Sequence, residues 1–350
     1  MDKLLIIRTI KQLNLFYSSY ISGGLFMDYE LFLQLVKEGL EERLGEDYLV
    51  TLRAIPKNNG IIRDGISVCR KYDQVAPTIY LHAFFQEMEN GHSFQEILNM
   101  IYQLYLENPG LPYLDSRVLA SYQEIKDRIV YKLVNTQANR AMLDYLPHMP
   151  FHDMSLVCYL LMEQREQGYV TALIHKDHVQ AWKIREKELF LAALENTPRL
   201  LPPVIQPMSD VLRQLAKEAL GENYQKETLD ALLEEADKQR TEKQPVFPTL
   251  YVLSNPVGVN GAACMTYPHV IQNFAQQLNQ DILILPSSIH EVLLVADCKD
   301  YNYEDMGLLV KDINDTEVSI EDRLSNQIYC YHRDKDQISM VSHAPALERV

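Results

Sequence analysis

Hydrophobic residues near the start of the chain recur with the period of an α-helix. They are Leu31, Phe32, Leu35, Val36, Leu40 and Leu44. Asp28 precedes them and is of a residue type that caps helix N-termini, while Gly45 follows them and is of a type that ends helices. The pattern therefore predicts one amphipathic helix that opens the first well-formed module of the chain.

Short extended segments are predicted after this helix, at 48–54, 61–69 and 77–81. The tract 56–60 joins the first two segments, and its Asn59-Gly60 pair tolerates the positive φ of a hairpin turn. Ser93 and Glu96 then have the spacing of a capping box, which predicts a further helix. The first module thus combines helices with a β-hairpin.

Strand and helix patterns also alternate in the rest of the chain. In the middle they predict strands at 129–135, 154–162 and 169–175, a short helix at 140–145 and a helical stretch that ends at 195. Near the end they predict strands at 250–254, 262–266, 281–285, 291–296 and 328–332, and helices at 268–278 and 303–313. Prolines and two amphipathic helices, at 210–220 and 226–240, separate the two parts. This order favours an α+β fold of several small mixed α/β modules with a helical connector.

Five regions follow from these patterns. We expect a weakly ordered N-terminal extension at 1–26, an N-terminal α/β module at 27–110, a middle α/β module at 111–200, a helical connector at 201–247 and a C-terminal α/β module at 248–350.

The middle and last modules share features that indicate an internal duplication. The tracts 131–135 and 251–255 both have the pattern Y-x-L-x-N, and each begins a strand–helix–strand–strand–helix order of nearly equal length. We therefore predict that the two modules superimpose. Because the residue identities are few, chance similarity is the alternative explanation.

The charge balance of the chain excludes some partners. The 350 residues include 48 acidic and 33 basic ones, for a net charge of −15. A field of that sign repels phosphate backbones and anionic lipids, so we expect neither nucleic-acid binding nor membrane association. Lys3, Arg8 and Lys11 precede an uncharged stretch that loosely imitates a secretory signal, but that stretch lacks an A-x-A cleavage site. The chain is therefore predicted to be soluble, acidic and cytoplasmic.

The cysteines and histidines do not have the spacing of a metal site. The five cysteines are dispersed over the chain and form no C-x-x-C pair, which argues against a disulfide framework and a structural zinc site. His148 with His152, and His175 with His178, are better explained as surface or capping residues. We therefore predict no metal site and no cofactor.

The tract 286–291 holds the residue types of a catalytic triad. Ser287, Ser288, His290 and Glu291 lie between two apolar strand patterns. A nucleophilic serine needs a base within hydrogen-bond reach, whereas residues i and i+2 of an extended segment lie about 6–7 Å apart. A structural turn between two antiparallel strands is the competing explanation, with Ile282, Ile284, Val292 and Leu294 on its buried face. If the turn is exposed, Ser288→Ala and His290→Ala should each cost no more than about 1 kcal/mol of stability.

The loop 255–263 is a second candidate site. Asn255, Asn260 and Gly261 make it a candidate ligand loop that presents backbone N–H groups to an anion. It lacks the G-x-x-x-x-G-K pattern of a phosphate-binding loop, so a plain hairpin turn at Asn260-Gly261 is the alternative.

Three tracts carry a resemblance to a known family. They are A-L-E-N-T-P-R-L-L-P-P at 193–203, L-Y-V-L-S-N at 250–255 followed by N-G-A-A at 260–263, and L-P-S-S-I-H-E at 285–291. Together with the tracts 56–60 and 76–81, they resemble an uncharacterised bacterial family, family 5688 of the domains of unknown function, over about Met27 to Lys335. The resemblance supports Met27 as the position at which the family-like part of the chain begins. It implies no mechanism and assigns no catalytic residue.

Two functions remain open at this stage. The first is a non-enzymatic cytoplasmic binding or adaptor protein for a protein or small-molecule partner, because the chain has no triad spacing, metal set or phosphate loop. The second is a hydrolase or transferase whose site is assembled from distant loops, including the turn from Ser287 to Glu291. The sequence does not decide whether the protein is an enzyme.

Overall fold

The protein is described here by a computed structural model that covers residues 27–71, 78–107, 121–165, 168–220, 249–286 and 288–347. The predicted extension at 1–26 and the second connector helix at 226–240 lie outside these residues. The chain divides into two compact units, which are Met1–Ile55 with Arg63–Asp115, and Pro56–Ile62 with Ser116–Val350.

Within its described residues, the first unit contains three helices and a three-stranded sheet. Its elements are α1 (Tyr29–Leu44), β1 (Tyr48–Pro56), β2 (Ile62–Arg70), β3 (Thr78–Tyr80), α2 (His82–Glu89) and α3 (Phe94–Glu107), and the strand order is β1-β2-β3. The predicted caps are confirmed: Asp28 Oδ1 accepts the Leu31 N–H at 2.8 Å, and Glu96 accepts the N–H and the hydroxyl of Ser93. Buried residues of the helices and the sheet form one core.

The second unit begins with a short helix and a four-stranded antiparallel sheet. Its first elements are α4 (Tyr122–Ile125), β4 (Ile129–Asn135), α5 (Arg140–Leu143), β5 (His148–Phe151), β6 (Met154–Arg165), β7 (Gly168–Leu173), α6 (Lys176–Ala181) and α7 (Glu186–Leu200). The strand order is β4-β6-β5, and β7 also pairs with β6. The sequence patterns missed β5 because Pro150 looked like a breaker, whereas prolines are tolerated in edge strands.

The second unit continues with a six-stranded antiparallel sheet. The helices and strands described in this part are β8 (Val204–Pro207), α8 (Met208–Leu220), β9 (Tyr251–Ser254), α9 (Val270–Leu278), β10 (Ile282–Leu285), β11 (Val292–Ala296), α10 (Tyr303–Glu317), β12 (Tyr329–His332) and β13 (Gln337–Met340). The strand order is β13-β12-β10-β11-β9-β8. Residues of both sheets, among them Tyr131 and Ile284, belong to one buried cluster.

Three local expectations for the second unit are wrong. The predicted strand 262–266 is a 3₁₀-helix, Gly261–Thr266. Its five residues from Gly261 to Met265 are all buried, so buried and exposed positions do not alternate along it. The predicted connector starts with a strand, because Val204–Pro207 pairs with β9 at the edge of the sheet. The helical stretch that was predicted to end at 195 continues to Leu200, so that Pro198 lies inside α7.

The strand order supports part of the predicted duplication. In each module the first strand pairs with the third, which pairs with the second, as β4-β6-β5 and β9-β11-β10 show. The sequence order predicted that the strands at 154–162 and 169–175, which are β6 and β7, correspond to β10 and β11. In the structure, the strands of the middle module that occupy the equivalent positions are β5 and β6. The last helices of the two modules contact their sheets differently. Thr197 of α7 accepts the N–H of Tyr131 at the edge strand β4, whereas Val310 of α10 packs on a sheet face. Superposition of the modules stays a prediction.

The predicted hairpin at 281–296 is confirmed. Strands β10 and β11 pair antiparallel, with Ile284 opposite Leu294. The four residues named for the buried face, Ile282, Ile284, Val292 and Leu294, are all fully buried. Among the described helices, none combines the length and the apolar character that a membrane crossing requires.

Candidate functional site

Loops that are distant in the sequence meet at one place in the second unit. The Ile289 N–H donates to Asp322 O at 2.8 Å, and the Ala262 N–H donates to Ile289 O at 3.2 Å. Ser288 also forms an isolated β-bridge with Arg323. The β10–β11 connection is therefore held between the loop after β9 and the segment that follows α10.

Buried asparagines attach the segment 56–62 to these loops. The Asn59 N–H donates to Asn139 Oδ1 at 2.8 Å, and the Asn139 amide donates to Asn59 Oδ1 at 2.7 Å. The Asn59 amide donates to the carbonyls of Ile320 and Arg323, both at 2.7 Å. Buried amides with satisfied donors and acceptors hold a fixed geometry, so they define the position of the neighbouring Asn58.

Lys132 of β4 points to this asparagine. Its ammonium donates to Asn58 Oδ1 at 3.2 Å. No carboxylate of the described residues lies within 4.0 Å of Lys132 Nζ. The pKa of Lys132 is lowered to about 8, chiefly by burial and in smaller part by the charge of Lys57, against the opposing effect of Glu321 and Asp322. Lys132 is therefore a partly buried cation with one neutral hydrogen-bond partner.

His290 and Asp322 form an ion pair in the same place. His290 Nε2 lies 3.2 Å from Asp322 Oδ1, and Ser319 Oγ donates to Asp322 Oδ2 at 2.6 Å. His290 Nδ1 accepts the N–H of Asn260 at 3.3 Å, which assigns the proton of a neutral ring to Nε2. The hydrogen bond raises the pKa of His290 and lowers the pKa of Asp322. Both ring nitrogens of His290 are thus engaged.

Ser288 does not face the imidazole ring. It is buried, with 5% of its surface exposed, and its Oγ accepts the backbone N–H of His290 at 2.9 Å. Burial raises the pKa of the nearby Glu291. Ser287 lies outside the described residues. Since both His290 ring nitrogens are bonded elsewhere, the candidate turn contains no Ser288–His290 pair of the kind that activates a nucleophile.

The candidate ligand loop supports this turn. The Asn255 side chain closes its own loop, because its amide donates to Val259 O at 2.8 Å. Asn260 adopts a left-handed conformation at φ 55° and directs its N–H to His290. A Cβ on Gly261 would lie 2.1 Å from Ser254 Oγ and 2.4 Å from His290 O, so the close approach requires glycine. Sequence reasoning singled out both loops without predicting that they touch.

The residues that bind and support one another here are called the Lys132 cluster. They are Asn58, Lys132, Ser288, His290, Glu291 and Asp322. A different, open pocket is lined by polar residues of α7 and the 3₁₀-turn before β4, among them Asn196 and Arg199, whose side chains bond to each other at 2.8 Å. Because those donors are already used, the Lys132 cluster is the better candidate for a binding site.

The comparison with known proteins supplies a family. A family model described as a family of unknown function (DUF5688) matches residues 29–333. The chain belongs to this family. No curated protein and no solved structure matches it.

The histidine pairs considered in this DUF5688 protein have structural roles. The Nδ1 of His178 accepts the N–H of His175 at 3.0 Å at the start of α6, so it acts as a capping group as predicted. The ring of His148 bonds to the carbonyl of Leu146. Neither pair belongs to the Lys132 cluster, whose Lys132 and Asp322 carry no sequence motif that would have identified them.

Proposed function

We propose that this DUF5688 protein is a non-enzymatic binding protein that takes a small anionic ligand, with a carboxylate or phosphate group, at the Lys132 cluster. The observation that carries the proposal is the partner set of Lys132. An ammonium has three N–H donors, and Lys132 directs one of them to Asn58 Oδ1 without a carboxylate in hydrogen-bond reach. A desolvated cation without a counter-charge is costly, and an anion bound beside it removes that cost.

The carboxylates of the site already have donors or positively charged neighbours. Asp322 accepts hydrogen bonds from His290 and Ser319, and Glu321 lies 3.9 Å from Lys57 Nζ. Burial raises the pKa of Glu291, and the charge of His290 acts on Glu291 in the opposite, smaller sense. Lys132 is therefore the group with spare hydrogen-bonding capacity, which favours a ligand that supplies acceptors over one that supplies donors.

The net charge of −15 opposes the approach of an anion at long range. At physiological ionic strength such repulsion is screened beyond about 8 Å, so the local charges decide affinity once the ligand has arrived. We therefore expect a small ligand and an association rate that increases with added salt.

The alternative function is a hydrolase or transferase. The bonding of His290 and Ser288 argues against serine chemistry at the described residues. One observation favours an enzyme: with a pKa of about 8, Lys132 is partly an uncharged amine near neutral pH, the form that acts as a base or nucleophile. If the protein is an enzyme, we expect Lys132 to be the reactive group.

The test is anion binding by the full chain and by Lys132→Met. Inorganic phosphate and citrate serve as probes, and calorimetry and thermal unfolding measure binding. We expect at least one of them to bind the natural protein, and we expect Lys132→Met to lose that binding. Lys187 is exposed on α7, so Lys187→Met is the matched control and should bind normally. This control also separates binding from the general stabilisation that these salts give to most proteins.

Equal binding by the natural protein and Lys132→Met would refute the assignment of the site, as would the absence of binding for both anions. Turnover of a substrate that requires Lys132 would instead establish the enzyme.

We also propose that the protein acts in the bacterial cytoplasm. Its five cysteines are all free, and Cys158, Cys264 and Cys330 are buried as thiols. Free thiols are typical of a reducing compartment. Fractionation of the source cells would test this proposal.

A further inference from the structure

Three side chains of metal-ligating type lie together at one end of the six-stranded sheet. They are Asp281, which precedes β10, and Cys330 and His332 of β12. One ligand atom from each side chain lies within 4.8 Å of the other two. The site is separate from the Lys132 cluster and shares no residue with it.

The local structure explains why these residues meet. Cys330 and His332 are two residues apart on one strand, so their side chains share a face of the sheet. Strand β12 pairs antiparallel with β10, with Ile282 opposite Tyr331, and this register brings Asp281 beside His332. The sequence predicted no metal site because the three ligands come from two strands without a C-x-x-C or H-x-x-x-H spacing.

We propose that Asp281, Cys330 and His332 bind a divalent transition metal, with Zn²⁺ as the preferred ion. Cys330 Sγ lies 3.7 Å from His332 Nδ1, and His332 Nδ1 lies 3.8 Å from Asp281 Oδ2. The Zn–S, Zn–N and Zn–O bond lengths of tetrahedral sites imply ligand separations of about 3.3–3.6 Å. These two sides of the triangle therefore need to contract by only a few tenths of an ångström, and the third side, between Asp281 and Cys330, is at most 4.8 Å long and closes when the exposed Lys299 leaves Asp281. Three protein ligands leave the fourth position to water.

His332 is oriented for this role by a second hydrogen bond. Its Nε2 lies 2.8 Å from Ser339 Oγ of the neighbouring strand β13, so Nδ1 is the nitrogen that faces Cys330 and Asp281. Metal-binding histidines commonly use their other ring nitrogen in this way, because the bond fixes the ring and its tautomer.

A cation already occupies part of this region in the protein alone. Lys299 Nζ lies 2.6 Å from Asp281 Oδ2 and 2.9 Å from Asp297 Oδ2. Asp297 is buried, accepts the hydroxyl of Tyr303 at 2.9 Å, and lies 4.0 Å from Cys330 Sγ. The Lys299 side chain is 60% exposed, so it has room to leave Asp281 when a metal arrives. Lys299 and the metal therefore compete for the same carboxylate.

The competition gives the proposal a specific consequence. Removal of the ammonium in Lys299→Ala should raise the affinity for the metal, because Asp281 becomes free and the charge of Asp297 is no longer neutralised nearby. Loss of a ligand should lower the affinity by at least about tenfold, since even changes outside the ligand set commonly cost that much.

The experiment uses the full chain, stripped of metal and kept reduced, and titrates it with Co²⁺ and then with Zn²⁺ as competitor. A Co²⁺–thiolate charge-transfer band in the near ultraviolet reports a cysteine ligand directly. We expect the natural protein to show this band, Cys330→Ser to lose it, His332→Gln to need at least about tenfold more Co²⁺, and Lys299→Ala to need less. Cys298 is exposed next to Asp297, so Cys298→Ser is the matched control and should keep the band.

Absence of the band in the natural protein would overturn the proposal and leave the cluster as an ion-pair network around Lys299. A band that survives Cys330→Ser and disappears in Cys298→Ser would also overturn it. If circular dichroism shows that Cys330→Ser does not fold, the Co²⁺ titrations of His332→Gln and Lys299→Ala test the proposal instead. Lys132→Met should leave the metal titration unchanged, which keeps this test independent of the anion proposal.

Discussion

At the scale of single residues, Lys132 shows how neighbours change the chemistry of a side chain. Burial is the largest cause that lowers its pKa, and no carboxylate of the described residues lies close enough to compensate fully. The same residue on an exposed helix face, such as Lys187, has water as its partner. The difference depends on surroundings that only folding provides.

The depressed pKa of Lys132 predicts how stability depends on pH. The pKa falls from 10.5 in the unfolded chain to about 8 in the folded protein, so the unfolded chain binds the proton more tightly between these values. Stability should therefore rise as the pH increases through this window. Relative to Lys132→Met, the natural protein should gain on the order of 1–2 kcal/mol of unfolding free energy between about pH 7.5 and 9.5.

Urea unfolding at the two pH values measures this difference, and the comparison with the variant cancels the contribution of other titrating groups. A difference that does not change with pH would show that Lys132 is ordinarily solvated in the folded protein.

At the scale of elements, the β10–β11 connection is more buried than a hairpin turn usually is. The sequence pattern predicted a turn and left its exposure open, and Ser288 is buried because the segment after α10 covers it, through the bridge with Arg323. Its Oγ accepts the His290 N–H at 2.9 Å. The connection is thus part of the interior of the second unit.

This burial changes the expected cost of Ser288→Ala. Removal of the hydroxyl leaves the His290 N–H without a partner, and a buried unsatisfied group costs about 1–3 kcal/mol. Ser209→Ala in the first turn of α8, where Ser209 is partly exposed, is the matched control and should change stability by less than about 0.5 kcal/mol. Chemical denaturation measures both variants, and equal values for the two would contradict the buried geometry.

At the scale of the whole molecule, the five cysteines divide into classes by exposure. Cys298 is exposed, Cys69 is intermediate, and Cys158, Cys264 and Cys330 are buried. Burial raises the pKa of Cys264 and of Cys330 to about 12, so these thiols are protonated and slow to react.

We therefore predict one rapidly reacting thiol in the native protein. A thiol-reactive chromophore should label Cys298 first, and Cys298→Ser should remove this fast phase. The three buried thiols should react only when the protein unfolds in guanidinium. Fast labelling of Cys158, Cys264 or Cys330 in the native state would mean that the described cores open readily.

Much of the local structure was predictable because it depends on neighbours in the sequence. The caps at Asp28 and Ser93, the hairpin turn at Asn59 and the alternation along β10 and β11 are each specified within a few residues. Strand β5 was missed because it contains a proline, and 262–266 was misassigned because its residues are nearly all buried. In both segments the hydrophobic and polar residues do not alternate in a way that identifies the element. Local patterns therefore determine element type wherever one face of the element is polar.

The sequence by itself determined most of the helices and strands, the acidic charge, the dispersed cysteines and two candidate loops around His290 and Gly261. Tertiary structure alone decided that those loops touch, that Lys132 and Asp322 join them, and that Asp281 meets Cys330 and His332. The physical reason is that hydrogen bonds and ion pairs act over a few ångströms in space. They link residues whose separation along the chain leaves no trace in any local pattern.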